Sequence, residues 1–548
     1  METRKQTVVL TDSAPSMPQM KTFAGSPPEP TTEAASTLAT RLTWLAVTLG
    51  VLLRIAQYAV NRSLWLDESY VALNLMHRTF RGLLQPLDYH QGAPVGFLLT
   101  EKWILSILGT SEYGLRFLPL IAGVASVLLF CALAKSVLDR WAVVIATGLF
   151  ALCPSLIYYS SEVKQYSSDA TLAILLLVVL TARREWSGMR LALLALVGAV
   201  AIWFSHPSVF VLAGAGMTIT ADLVSRRDWR RLARFSPVFV VWTASLAVSY
   251  LAFLRRLSQD RSLLDYWTGN FMPLPPRSVT DLKWFYDSFF DFFHGTVGME
   301  FAGLAAFAFL VGSVALYRRS QQEFFFLISP GLLVLLASGL HKYPFGGRLA
   351  LFLVPSALIL IAAGAEEVRL QASESRVPVG GILAALLLLD PGVYVLHHFA
   401  KPHTLVQRPG IMMPEEVRPV GAYLQTHRKP GDVLYLFHDA QTAYQYYAER
   451  QAWPSNDMVL GTASGADPRD YAADLDRLRG HRAWILVSHI HGVDADEAKY
   501  IRFYLDSVGS PLETFTAAGA AAYLYDLTTP TSPQPVSNLA GHDAVSPK

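Results

Sequence analysis

Eleven apolar runs recur through the first 400 residues, near 42–60, 116–137, 141–158, 168–182, 190–205, 208–224, 235–254, 301–317, 324–340, 348–364 and 378–396. A helix needs about 20 mostly apolar residues to cross a hydrocarbon core of roughly 30 Å. The longer runs meet that length alone, the shorter ones with help from their flanks. A chain with this many runs has more apolar surface than one water-soluble core can bury, so lipid must cover part of it. Charged residues make up only 16% of the chain, against about 25% in soluble domains. These features exclude a disordered chain, a nucleic-acid-binding chain and an ordinary soluble enzyme. Basic and acidic residues number 45 and 43, so net charge names no partner. Both cysteines, Cys131 and Cys153, lie inside apolar runs and read as small buried hydrophobes rather than a disulfide framework.

A further run, 94–109, carries Glu101 and Lys102 at its centre. Charges at bilayer depth are expensive, and the positive-inside rule decides its placement. If 94–109 lies along the surface, Lys135/Arg140, Arg183/Arg184/Arg190, Arg226–Arg234, Arg318/Arg319 and Arg369/Arg376 all share the side of the N-terminus. That side is the cytoplasm. The expected topology therefore has a cytoplasmic N-terminus, a large external loop over 61–115 and an external C-terminal region, in a plasma (inner) membrane. Residues 1–40 and 527–548 read as disordered tails, and the first run begins too late for a secretory signal peptide.

Residues 412–526 are less apolar and read as a compact external α/β domain. Helices are expected over 415–428, 440–450, 470–479 and 495–505, with strands over 433–437, 484–488 and 521–525. Its histidines, such as His438, His489 and His491, fall on scattered loop and strand ends. The domain is expected to shape acceptor choice rather than to perform chemistry.

With that topology, carboxylates, histidines and tyrosines gather at one membrane surface. They lie in Trp65–Ser69, Asp88–Pro94, Tyr158–Tyr166, Ser205–Pro207 and His341–Arg348. Asp67, beside apolar Trp65 and Leu66, is a candidate general base, with Glu68 as its neighbour in the pair; the bland reading is that Glu68 and Ser69 merely start a helix over 69–81. Lys164 either faces a phosphate or forms an interfacial ion pair with Glu162. Arg348 follows two glycines at the external start of an apolar helix. Free N–H groups, the helix dipole and a guanidinium would converge there on an anion; the alternative is snorkelling to the interface. His206 before Pro207 reads as a turn. His90 and His341 lack the spacing of a metal motif, and the metal assignment stays open.

In order and spacing these segments resemble the integral-membrane C-type glycosyltransferases, in the branch that includes protein O-mannosyltransferases and lipid A aminoarabinose transferases. Trp65-Leu66-Asp67-Glu68 resembles the acidic motif of the first external loop, and Asp88–Pro94 the histidine–proline segment. Ser111-Glu112-Tyr113-Gly114-Leu115-Arg116 resembles the entry to the second helix, and Tyr158–Tyr166 the Tyr/Ser/Glu/basic/Tyr loop. One departure stands out: Gln91-Gly92-Ala93 precede a single Pro94, where the family has two prolines close to its histidine. The resemblance is strong over 60–185, moderate over 341–364 and weak in the external domain.

It implies an all-α polytopic protein of about 11 helices with the C-type glycosyltransferase fold over 41–397. The implied reaction is a single displacement with inversion, from a polyprenyl-phosphate-linked sugar to a glycan, lipid or protein acceptor. Asp67 and Glu68 would be catalytic, and Lys164 and Arg348 would hold the donor phosphate. His90, Glu162, Tyr166, His341 and Tyr343 would contact substrate. No cofactor is required by these residues; some relatives use a divalent cation, which this sequence does not establish. Membrane lipids are expected partners and nucleic acid is not. The alternatives are a multi-pass transporter or lipid flippase, which should place its charges near the midplane, and a non-catalytic partner-binding membrane protein.

Overall fold

The computed structural model describes residues 30–182, 186–257, 259, 261–372, 377–401, 414–453, 457–462, 468–490 and 494–528. A helix occupies each of the eleven expected spans. Among the described residues, eight are long and apolar enough to cross a membrane, and Arg140–Leu152, Tyr166–Thr181 and Gly188–Phe204 are shorter apolar helices. The chain is a multi-pass membrane protein. The first helix, Pro30–Val60, starts well before Leu42, because Ala34, Ala35 and Ala39 extend it with strong helix formers. The remainder of the expected N-terminal tail and residues 529–548 lie outside the described residues.

The bundle is tightest where Ala302–Arg319 crosses the central helix Val354–Gln371. A methyl group at Gly312 would overlap the Leu360 carbonyl, and one at Gly364 would overlap that of Ala308. Small residues at such a crossing let two backbones touch, which is how membrane helices gain packing where the hydrophobic effect does not drive association.

Val95–Leu108 has 14 residues and rises only about 21 Å at 1.5 Å per residue. Lys102 Nζ donates to the Leu75 carbonyl at 2.6 Å, which ties it to the helix Leu66–His77. Glu101 is buried inside the protein. The stretch between the seventh and eighth spans also has structure that hydropathy does not reveal, including the helix Val279–Asp291. Ser278 caps it, accepting from Asp281 N–H at 3.1 Å, a Ser-x-x-Asp capping box. Just ahead of this helix, the Asn270 carbonyl accepts from Phe345 N–H at 2.9 Å, joining the stretch to the loop before Arg348.

The C-terminal domain carries one five-stranded sheet in the order β2-β1-β3-β5-β4. Its strands are β1 Val433–Leu436, β2 Met458–Leu460, β3 Arg482–Ser488, β4 Ser510–Ala517 and β5 Ala520–Asp526. β1 pairs parallel with β2 and β3, while β5 pairs antiparallel with β3 and β4. The expected strands are the three central ones. The edge strands β2 and β4 were not expected: β2 has three residues, and β4 is mostly solvent-facing with Pro511 at a register shift. Edge positions carry weak apolar signals and tolerate proline.

This domain is seated on the first loop. Ser63 Oγ donates to Glu416 Oε2 at 2.7 Å, and Leu64 N–H to the Tyr447 hydroxyl at 2.9 Å. Ser69 and Thr442 hydroxyls lie 2.7 Å apart. Arg418 and Arg450 both reach Glu112, at 2.7 and 2.8 Å.

Candidate active site

The adjacent acids of the first loop have opposite surroundings. The helix that carries them runs Leu66–His77 rather than 69–81, so both fall in its first turn, where carboxylates suit the helix dipole. Glu68 is wholly buried between two arginines. Its Oε2 accepts from Arg62 Nη1 at 2.8 Å and Arg116 Nη2 at 2.6 Å. Its Oε1 accepts from Arg116 Nε and from Val163 N–H, both at 2.9 Å. Burial alone would raise this carboxyl, but Arg116 and Arg62 hold it below the ordinary range. With its lone pairs committed, Glu68 pins the loop to the bundle. The sequence reading pairs Glu68 with Asp67 as catalytic; the two carboxylates have different partners here.

Asp67 instead faces the cluster expected from the distant loops. Its Oδ2 lies 2.6 Å from Arg348 Nη2 and 3.8 Å from Lys164 Nζ, with side-chain exposures of 18%, 11% and 5% respectively. Burial raises the Asp67 carboxyl, but Lys164, Arg348 and His489 together bring it below its usual value. Burial also depresses the Lys164 ammonium, with Asp67 opposing.

Arg348 is caged by aromatic faces, its guanidinium 5.3 Å from the Trp65 ring, 5.7 Å from Trp267 and 5.9 Å from Tyr166. Its Nε has no hydrogen-bond partner among the described residues. The helix terminus expected at Arg348 is displaced. Gly347–Leu353 forms tight 3-10 turns and the α-helix begins at Val354, because Pro355 favours the first turn of an α-helix. Gly346 and Gly347 have φ of +149° and +49°, conformations that favour glycine. Arg348 is therefore aimed by this glycine turn rather than set on a helix N-terminus.

Glu162 is fully buried, and neither carboxyl oxygen has a hydrogen-bond partner among the described residues. Burial, reinforced by Glu68, pushes it up to about 8. Tyr166 is buried edge-on to Tyr159 with ring centroids 5.3 Å apart.

The histidine assignments fare differently. His90 is exposed at φ +51° and lines an apolar-walled cavity with His206, Trp203, Phe253 and Arg256. Its neighbour Gln91 is what reaches the cluster, its Oε1 accepting from Lys164 Nζ. His341 is exposed and leans on Phe271 at 4.9 Å. Tyr343 donates its hydroxyl proton to the Leu349 carbonyl at 3.0 Å and so braces the turn that carries Arg348.

Three participants were not expected: Trp267, Glu415 and His489. Glu415 Oε2 accepts from Leu66 N–H at 3.2 Å and its Oε1 pairs with His489 Nδ1 at 2.6 Å. The only sequence signal was the acid pair Glu415-Glu416 opening a helix. His491 lies outside the described residues.

The donor set around Asp67 does not fit a divalent cation. Its carboxylate is met by a guanidinium and an ammonium, and among the described residues no three His, Cys, Asp or Glu side chains converge as metal ligands.

The helical bundle, the loop-borne site and the seated outer domain together have the C-type membrane glycosyltransferase fold, as the sequence resemblance implied. No protein-family model matches the chain, and no curated protein matches its sequence. Among solved structures, ArnT from Cupriavidus metallidurans in its apo state aligns with a TM-score of 0.51 and 12% identity, over 91% of this chain and 100% of that one. ArnT bound to undecaprenyl phosphate aligns with a TM-score of 0.50 and 12% identity, over 88% and 97%. The oligosaccharyltransferase of Archaeoglobus fulgidus in complex with Zn and sulfate aligns with a TM-score of 0.50 and 13% identity, over 87% and 72%. At these identities the likeness establishes the fold.

Proposed function

We propose that the chain is a membrane glycosyltransferase that moves a sugar from a polyprenyl-phosphate donor to a glycan, lipid or protein acceptor at the external face. One observation carries this reading: a carboxylate, Asp67, sits against the buried cations Arg348 and Lys164, beneath an outer domain. A site for phosphate departure needs two fixed cations, and a site for acceptor activation needs a base beside them. The undecaprenyl phosphate held by ArnT supports the lipid part of the donor.

Asp67 pairs with the cations that a donor phosphate would use. As phosphate engages Arg348 and Lys164, Asp67 loses its counter-charges and becomes a better proton acceptor. It then removes the acceptor proton as the acceptor oxygen or nitrogen attacks the anomeric carbon. The bond from that carbon to the phosphate oxygen breaks, and its electron pair leaves on the phosphate, where Arg348 and Lys164 meet it. Attack opposite the leaving group inverts the anomeric centre.

The test uses purified protein with radiolabelled polyprenyl-phosphate sugars of several kinds. Asp67→Asn should lower transfer about 10²- to 10⁴-fold while binding polyprenyl phosphate at least as well as wild type. A near wild-type rate in Asp67→Asn would reject the assignment.

A further inference from the structure

The loop ahead of Val95–Leu108 delivers one amide to the cation cluster. Gln91 Oε1 accepts from Lys164 Nζ, and Gln91 Nε2 donates to the Tyr89 carbonyl at 3.1 Å. These contacts fix which end of the amide faces which way, because an ammonium only donates and a carbonyl oxygen only accepts. Lys164 Nζ stands 3.8 Å from Asp67 Oδ2, whereas Arg348 Nη2 lies 2.6 Å from the same oxygen. The shorter contact of the Lys164 ammonium is thus to a neutral oxygen.

The backbone that presents Gln91 is held under strain. Tyr89 and His90 have φ of +63° and +51°, a left-handed pair that non-glycine residues keep only where their surroundings impose it. The helix Leu66–His77 imposes it here. Tyr70 on that helix stacks on the Tyr89 ring with centroids 4.9 Å apart. Asn74 donates to the Asp88 carbonyl at 3.3 Å and accepts from Asp88 N–H at 3.0 Å. Arg78, the residue after the helix, pairs with the Asp88 carboxylate at 2.7 Å. One helix therefore carries Asp67 itself and, through this turn, sets Gln91.

We propose that Gln91 is a positioning residue, which holds the Lys164 ammonium apart from Asp67 for the donor phosphate and, being neutral, leaves the cluster able to take an anion. The proposal rests on the polyprenyl-phosphate reading of the site. Asp67, Lys164 and Arg348 bring one negative and two positive charges together, so one positive charge is left over for phosphate. A carboxylate in place of Gln91 would hold Lys164 equally well but cancel that charge. An apolar side chain would keep the charge but release the ammonium, with Asp67 as its remaining acceptor.

The experiment measures polyprenyl phosphate affinity and sugar transfer on the purified full chain. Gln91→Glu should weaken polyprenyl phosphate at least about tenfold, since like charges a few ångströms apart repel strongly away from bulk water. Combining it with Asp67→Asn restores the surplus charge, so the double variant should bind within about threefold of wild type. Gln91→Met keeps the charge; it should hold affinity within about threefold of wild type and lower kcat about tenfold or more. In a Lys164→Ala background Gln91→Met should cost nothing further, because a residue that acts through another has no effect once the other is gone. Wild-type affinity in Gln91→Glu would overturn the proposal. So would a Gln91→Glu defect that Asp67→Asn leaves in place, or a Gln91→Met loss that persists in Lys164→Ala. A wild type that binds no polyprenyl phosphate would refute the donor reading and this proposal with it, whereas equal binding by wild type and Gln91→Glu would refute Gln91 alone.

Discussion

Replacing Glu68 with glutamine removes one charge from between two buried guanidiniums and changes almost no volume. The amide places an N–H group where the protein also presents N–H groups, so either the two contacts at Oε2, 2.6 and 2.8 Å, or the two at Oε1, both 2.9 Å, are lost. Removing one partner of a buried ion pair costs about 3–5 kcal/mol. The lower end applies here, because both arginines keep other acceptors. Arg62 donates to the Ser161 carbonyl at 3.0 Å, and Arg116 to the Arg62 and Ser63 carbonyls at 2.6 and 3.1 Å. About 3 kcal/mol is roughly two orders of magnitude in the folded-to-unfolded ratio.

Thermal unfolding in detergent should show Glu68→Gln melting several degrees below wild type and below Asp67→Asn, because the Asp67 side chain is 18% exposed where that of Glu68 is fully buried. Activity per folded molecule should show the reverse ordering of damage. The pH dependence follows the same sign. Burial raises Glu68, but Arg116 and Arg62 depress it overall, so its stabilisation is complete above the unfolded carboxyl value of about 4.3. That stabilisation is lost as pH falls through the lower folded value. A Glu68→Gln protein as stable as wild type but unable to turn over would refute the anchoring role.

Arg348→Lys should keep part of the polyprenyl phosphate affinity and Arg348→Ala very little, since lysine supplies charge without the planar fork; equal affinity in wild type and alanine variant would remove Arg348 from the phosphate site. Glu162 is raised by burial and by Glu68 to about 8, so wild-type stability should fall as pH rises from about 4.3 to 8; Glu162→Gln should flatten that slope in urea titrations at several pH values. Gly312→Leu should prevent folding or cost more than the roughly 1–3 kcal/mol of ordinary overpacking, because its neighbour is backbone; thermal unfolding of the purified variant checks it. Single cysteines at 230 and 460 should label from opposite sides of the membrane, the first cytoplasmic and the second external, and labelling from one side would overturn the topology.

Each span was legible because apolar length is a local property, and the motifs around Asp67, Lys164 and Arg348 were legible because their side chains are unusual at a membrane surface. What local reading missed are properties of assembly. The difference between Asp67 and Glu68 is set by Arg62, Arg116 and Val163, which approach from three separate segments. The terminus at Arg348 was misplaced because two glycines and Pro355 produce 3-10 turns that an apolar run does not signal. His489 was read as one of several scattered histidines because its partner Glu415 lies 74 positions away. The Ser278–Asp281 capping box was a usable signal for Val279–Asp291, in a stretch that hydropathy passes over.

Ser63 and Glu416 are 353 positions apart in the chain, and Leu66 and Glu415 are 349 apart. During synthesis the first loop emerges long before its covering domain exists. Every apolar helix of the bundle is made before Glu415 and Glu416 can meet the first loop. A chain that stops short of residue 415 would thus lack the partners that Ser63 and Leu66 have in the C-terminal domain.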